Sequence, residues 1–138
     1  PLARDPPIEE TVDVEDERFL APESMLKAVH AAIGRTLSVG ETAYCIFNSL
    51  AKGYAESLSA LEALTGEKYN TLNIIGGGSK NMFLNELTAK YTGKKIITGP
   101  TEGTAIGNFI MQMVGAGEIS SVAEGREIVR ASFDIKEL

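Results

Sequence analysis

Apolar positions along the chain change their spacing in the middle, and the change divides the elements the sequence predicts. Met25, Ala28, Val29, Ala32 and Ile33 recur at helical spacing after Ser24, which predicts a helix closed by Gly34. Ser38-Val39-Gly40-Glu41 reads as a capping box, a Ser with a Glu three residues on. It opens a long helix over about 42–65, with an apolar face of Ala43, Ile46, Phe47, Leu50, Tyr54, Leu58, Leu61 and Leu64, and Gly66 as its stop. Gly53 inside that helix costs about 1 kcal/mol relative to Ala, so close packing is expected there.

Beyond Gly66 the period shortens. Thr71–Ile75 is β-prone and runs into Gly76-Gly77-Gly78-Ser79-Lys80-Asn81. A helix to about Tyr91 follows, with Phe83, Leu84 and Leu87 inward, and Thr92-Gly93 breaks it. Lys95–Thr98 predicts a second strand, Gly99-Pro100 a turn, and residues 102–115 a core helix buried through Ala105, Ile106, Phe109, Ile110, Met113 and Val114. Ser121-Val122-Ala123-Glu124 is a further capping box, opening a short helix to about Arg130. A strand, a single helix and a second strand imply parallel pairing with a right-handed crossover, hence α/β architecture. Two strands do not make a stable sheet. The missing strands hide in residues 1–21 or belong to protein outside this chain, and the second expectation is favoured.

Composition adds boundaries. A chain of 138 residues with 43% hydrophobic and 23% charged residues suits one globular domain. The net charge of -6 argues against nucleic acid as a partner, although backbone amides can still bind ATP phosphates locally. Residues 1–21 carry prolines and the acidic run Glu9, Glu10, Asp13, Glu15, Asp16 and Glu17, and read as an extended, solvated arm anchored by Phe19 and Leu20. Residues 22–138 form the body. The single cysteine, Cys45, is expected in the core, and the single histidine, His30, has no second histidine to join it at a metal. No signal segment is recognised, and no apolar run approaches the roughly 18 residues of a membrane span, so a cytoplasmic protein without a membrane partner is expected. The opening Pro1-Leu2-Ala3-Arg4-Asp5-Pro6-Pro7 lacks an initiator Met and suggests a segment from inside a longer protein, with an expression remnant as the competing reading.

The candidate chemistry lies at Gly76–Asn81. Ligands of open α/β sheets bind beyond the carboxyl ends of the strands. Three glycines remove every Cβ, so peptide groups can touch a flat ring or a phosphate. Amides near Ser79 to Asn81 are expected free at the helix start, and Ser79 and Asn81 offer side-chain hydrogen bonds. A plain tight turn explains the same glycines equally well. Other nucleotide motifs fit poorly. A P-loop needs Ser or Thr after its Gly-Lys, and Asn81 follows Lys80. A G-x-G-x-x-G dinucleotide fingerprint finds Asn81 in place of its third glycine, and no acid ends the second strand, though Glu102 lies slightly further on. The second strand–helix junction, Gly99 to Asn108, has small residues at Gly103, Thr104 and Gly107 that would permit a close helix approach, with Glu102 in the first turn.

Together these segments resemble the FGGY family of carbohydrate kinases. That pattern is G-G-G-x-x-N after a strand, a Leu-rich helix, a strand ending in Gly-Pro, then E-A-T/S-x-x-G-N. Here it stands as Gly76 to Asn81, Leu84 to Leu87, Gly99-Pro100 and Glu102 to Asn108, with Gly103 where the family carries Ala. Residues 16–25 and 45–50 resemble segments of the family's L-rhamnulose-phosphorylating branch, so the likeness runs from about 12 to 133. The resemblance implies a partial RNase H-like domain of the actin-like ATPase class, with parallel strands and packed helices. It implies ATP as phosphate donor, with Mg²⁺, and transfer of the γ-phosphoryl to a hydroxyl of a ketose such as L-rhamnulose. Gly76, Gly77, Gly78, Ser79 and Asn81 would bind the nucleotide, and Glu102 and Thr104 would brace that loop. The catalytic base, the Mg²⁺ ligands and the sugar site would lie upstream of this chain. Asp5, Asp13, Asp16 and Asp134 all fall in tails, so no catalytic or metal-binding residue is assigned. The chain alone is expected to be inactive, and to self-associate or pair with its missing half through an exposed sheet edge. A dinucleotide-binding module of an oxidoreductase and a non-enzymatic α/β interaction domain are the alternatives.

Overall fold

The computed structural model describes residues 7–138. The reading of the opening prolines therefore lies largely outside the described residues. The chain forms two compact units. One holds the described residues up to Lys68 together with Glu86–Gly93, and the other holds Tyr69–Asn85 and Lys94–Leu138.

In the first unit, helix α1 spans Met25–Ile33, and α2 spans Val39–Thr65. Ser24 caps α1 by accepting from the Lys27 amide, and Gly34 closes it in the left-handed region. The Ser38 hydroxyl accepts from the Glu41 amide at 3.1 Å, and the Glu41 carboxylate accepts from the Ser38 amide at 2.8 Å. That reciprocal pair starts α2 at Val39, four residues before Ala43, where the apolar period begins. The Ser38 amide, followed by Arg35, holds the Glu41 carboxyl below its ordinary range. A core of Val29, Leu37 and Cys45 joins α1 to α2, with Ile8, Val12, Phe19, Ile33 and Ile46 packed around it. Cys45 is free and buried as expected, and burial pushes its thiol pKa up.

The buried face of α2 differs from the expected one. Leu64 is 86% exposed, and Tyr54 and Leu61 are more than two-fifths exposed. The buried positions include Cys45, Asn48, Ser49 and Ala51 instead. The reason is the acidic arm, which is not a free solvated segment over its described part. Its Ile8, Val12 and Phe19 pack against the core, whereas Leu20, expected to anchor it beside Phe19, is 88% exposed, and its backbone is tied to α2. Asn48 Nδ2 donates to the Ile8 carbonyl at 2.8 Å, and the Val12 amide donates to Ser49 Oγ at 2.9 Å. Buried polar side chains are tolerated when they are bonded in this way. The close packing expected at Gly53 is present, and its neighbour is the arm: a Cβ there would lie 2.9 Å from Val14 Cγ2.

In the second unit, strand β1 spans Thr71–Ile74 and β2 spans Lys95–Thr98, paired in parallel with Leu72 opposite Ile96. Helix α3, Met82–Thr92, lies between them in sequence and runs from this unit into the first. Helices α4, Gly103–Ala116, and α5, Val122–Ser132, follow, and strand β3, Lys136–Glu137, ends the chain. β3 pairs antiparallel with β2, so the sheet is mixed, in the order β1-β2-β3. The all-parallel expectation is corrected. The third strand lies in neither place considered from the sequence: two residues are too few to show a period.

Two helices are less buried, or differently buried, than their patterns predict. No residue of α4 is fully buried, and Phe109 is 63% exposed. α4 is instead covered on one side by α5, whose Gly125 comes so close that a Cβ would sit 2.5 Å from Ile110 Cγ2. On α3 the fully buried side chains are Asn85 and Thr88, whereas Phe83, Leu84 and Leu87 are half-buried. No helix among the described residues is long and apolar enough to cross a membrane.

Candidate functional site

β1 ends at Ile74, and the chain must turn at once to reach α3. Gly76 makes the turn with φ 78° and ψ −162°, a conformation essentially restricted to glycine. Residues Gly77–Lys80 then form one 3₁₀ turn. The Gly76 carbonyl accepts from both the amide and the hydroxyl of Ser79, at 3.1 and 2.7 Å. Asn81 donates its amide to the Gly78 carbonyl at 3.0 Å, and its Oδ1 accepts from the Leu84 amide at 3.2 Å, capping α3. The amides of Ser79 and Asn81 are therefore used inside the turn, contrary to the expectation that they are free. Ser79 is buried and its hydroxyl points inward, so it acts here as a fastener of the loop.

Gly77 and Gly78 are different. Neither has a positive φ, and a Cβ on either would meet nothing within 4 Å. Both are exposed. As the first residues of the turn, their amides have no acceptor within it. Neither backbone conformation nor packing asks for glycine at these two positions. What their glycines provide is a bare peptide face at the carboxyl end of β1.

A second loop supports the first through main chain. The Gly99 amide donates to the Ile74 carbonyl at 2.8 Å, and the Gly76 amide donates to the Pro100 carbonyl at 3.3 Å. A Cβ on Gly99 would lie 2.9 Å from Ile75 Cγ2, so packing requires glycine there. Glu102 stands at the start of α4, exposed and without a side-chain capping bond, and Thr104 is also exposed. The link between the two loops runs through the Pro100 carbonyl. A Cβ on Gly103 would meet the Ile75 side chain at ordinary contact distances, and one on Gly107 would meet nothing within 4 Å, so the close approach expected at Gly107 is absent.

Sequence reasoning missed Asn85. It is 1% exposed, and its Nδ2 donates to the Ser79 carbonyl at 3.0 Å. The bonds from Asn85 to Ser79 and from Ser79 to Gly76 hold the loop from inside. A polar residue four positions after Asn81, within the half-buried stripe of Phe83, Leu84 and Leu87, was the available signal. Also missed was a cleft of about 340 Å³ beside the loop, lined by Ser79, Lys80, Met82, Thr98 to Thr101, Phe133, Asp134 and Lys136. Among the described residues, no group of three or more His, Cys, Asp and Glu side chains is placed to hold a metal ion.

Residues 5–116 match the family model described as the FGGY family of carbohydrate kinases, C-terminal domain. The chain belongs to this family. Its relatives include the rhamnulokinases of Bacillus subtilis (strain 168), Oceanobacillus iheyensis and Halalkalibacterium halodurans. They are 42%, 41% and 40% identical, over 94%, 97% and 91% of this chain. The same matches cover 28%, 30% and 28% of the relatives, so the chain spans less than a third of their length. The branch suggested by residues 16–25 and 45–50 is the one these relatives are named for. As a member of this family, the chain is a C-terminal α/β domain with a small mixed sheet and five helices among its described residues.

Proposed function

We propose that this chain is the nucleotide-binding portion of a carbohydrate kinase that transfers the γ-phosphoryl of Mg-ATP to a hydroxyl of a ketose such as L-rhamnulose. The observation that carries the reading is the bare face of Gly77 and Gly78: two exposed glycines that neither strain nor packing demands. A ligand that must touch peptide supplies the missing reason. The face lies beyond the carboxyl end of a parallel strand, the usual ligand position in α/β sheets. Gly76 sets its angle, and Ser79 and Asn81 fasten it. The adenine or α-phosphate of ATP would meet the amides of Gly77 and Gly78.

The actin-like, RNase H-related arrangement implied by the family belongs to this proposal, as does a cytoplasmic setting. The outer edge of β1 has no strand partner among the described residues. Through it the chain would pair with another copy or with further strands of a longer protein. Phosphoryl transfer also needs a group to orient the attacking hydroxyl and carriers for Mg²⁺. Among the described residues no cluster of His, Cys, Asp or Glu is placed to carry the metal. The chain alone is therefore expected to bind ATP yet show no turnover of L-rhamnulose in a coupled kinase assay. Turnover above background would mean that this chain carries a catalytic group of its own.

The direct test is Gly77→Val. A Cβ at this position meets open space, so the melting temperature should stay within a few degrees of wild type. ATP binding, read by calorimetry or by NMR titration, should drop at least tenfold. Unchanged ATP affinity in a folded Gly77→Val chain rejects the site. A dinucleotide module would instead prefer NAD to ATP in the same titration.

A further inference from the structure

The family match ends at residue 116, yet one wall of the cleft beside the glycine turn is made by the last residues of the chain. That wall is fixed in place. β3 pairs with the end of β2, Thr98 opposite Lys136, and Ile96 and Leu138 exchange amide–carbonyl bonds at 2.9 and 2.8 Å. Phe133 to Lys136 are thereby carried across the carboxyl end of β2, opposite Ser79 and Lys80. The volume of this open cleft, about 340 Å³, falls at the small end of the range for small-molecule sites.

The lining is mixed in a way that suits a nucleoside better than a run of phosphates. Phe133 stands just after α5 and is 43% exposed, a large ring left partly open toward the cleft. Met82 and Pro100 add apolar surface, and Thr101 adds a hydroxyl at the rim. Lys136 faces Asp134 at 3.7 Å, so this part of the wall is close to neutral. Lys80 lies on the other side, next in the turn to the bare face.

The geometry points to a base-binding wall supplied by the C-terminal tail. Phe133 stacks on the purine, Asp134 and Lys136 flank the ribose edge, and the Gly77–Gly78 face with Lys80 is left to the α-phosphate. This assignment rests on the nucleotide reading above and sharpens it, since it places the base in the cleft and the phosphate on the glycines.

The ¹⁵N-labelled 138-residue chain, titrated with AMP and separately with adenosine, tests it. Both ligands should move the amides of Phe133 to Lys136, and AMP should move those of Gly77 and Gly78 more than adenosine does. Phe133→Ala should weaken AMP about tenfold, as loss of one base–aromatic stack does. Phe133→Tyr should bind like wild type. If Phe133→Ala melts early, Phe133→Leu keeps the apolar volume without the ring and should show the same loss. Shifts confined to residues 76–81, with AMP affinity unchanged in Phe133→Leu, overturn the tail's role and leave the nucleotide reading standing. No shift at either place overturns both.

Discussion

Gly76→Ala is expected to destabilise the chain by about 2 kcal/mol and to remove nucleotide binding, whereas Gly78→Ala leaves stability near wild type. The two glycines are two positions apart, so composition and position in the chain do not separate them. Their backbones do. Gly76 has φ 78° and ψ −162°, where an L side chain is strained, while Gly78 has no positive φ. Space is not the cause, because a Cβ on Gly76 would meet only the Thr101 carbonyl, at 3.9 Å. An alanine there either bears the strain or rotates its peptide. Rotation takes the Gly76 carbonyl away from the Ser79 amide and hydroxyl, and the 3₁₀ turn opens. At Gly78, and equally at Gly77, alanine restricts the unfolded chain and should stabilise slightly, by about 0.4–1 kcal/mol. Urea melts of the three variants decide the matter. Equal losses at Gly76 and Gly78 would mean that the turn is not held in the conformation described.

The contrast shows where the sequence was readable. Helix ends were legible because caps act locally: Ser24, Ser38 and Ser121 open helices, and Gly34 and Gly66 close them. The strand, glycine turn, helix and second strand were legible from the change of period, and the FGGY resemblance fixed their order. Burial was legible only in part, at Val29 and Cys45, because it depends on partners distant in sequence. Leu61 and Leu64 keep the period of a buried face but remain exposed, while Asn48 and Ser49 are buried because the arm bonds to them. β3 could not be read from two residues whose strand character comes from pairing with β2. Within the site, the glycine run was visible, but the division of labour was not. Gly76 serves geometry, Gly99 serves packing, and Gly77 and Gly78 serve neither. Only coordinates separate these roles. The same holds for the tail at Phe133, which lies 34 residues from Gly99 in sequence and beside it in the cleft.

Asn85→Asp should give the largest and most pH-dependent loss in the molecule. The side chain is 1% exposed, and its Nδ2 donates to the Ser79 carbonyl at 3.0 Å, while its Oδ1 is buried without a protein partner. Aspartate keeps the shape but places an acceptor against an acceptor. Ionised, it is also a buried charge with no counter-ion. Such a carboxyl titrates well above its unfolded value of about 3.9. The folded state then binds the proton more tightly than the unfolded state, so stability falls as pH rises above about 4 and keeps falling until the folded-state pKa is passed. A rise of about three pH units corresponds to about 4 kcal/mol at neutral pH, a large part of a domain's stability. When protonated, the carboxyl can donate to Ser79 in place of the amide, so the variant should approach wild type near pH 4. Asn85→Leu provides the control. It orphans the Ser79 carbonyl but also removes the orphaned Oδ1, so its cost should stay within about 1–3 kcal/mol and not vary with pH. Because Ser79 fastens Gly76, nucleotide affinity in the Asp variant should follow the same curve, recovering as pH is lowered. Parallel urea melts of wild type and variant from pH 4 to 7 read the slope. A difference that does not change with pH would mean the carboxylate reaches water, and that Asn85 does not hold the glycine turn from within.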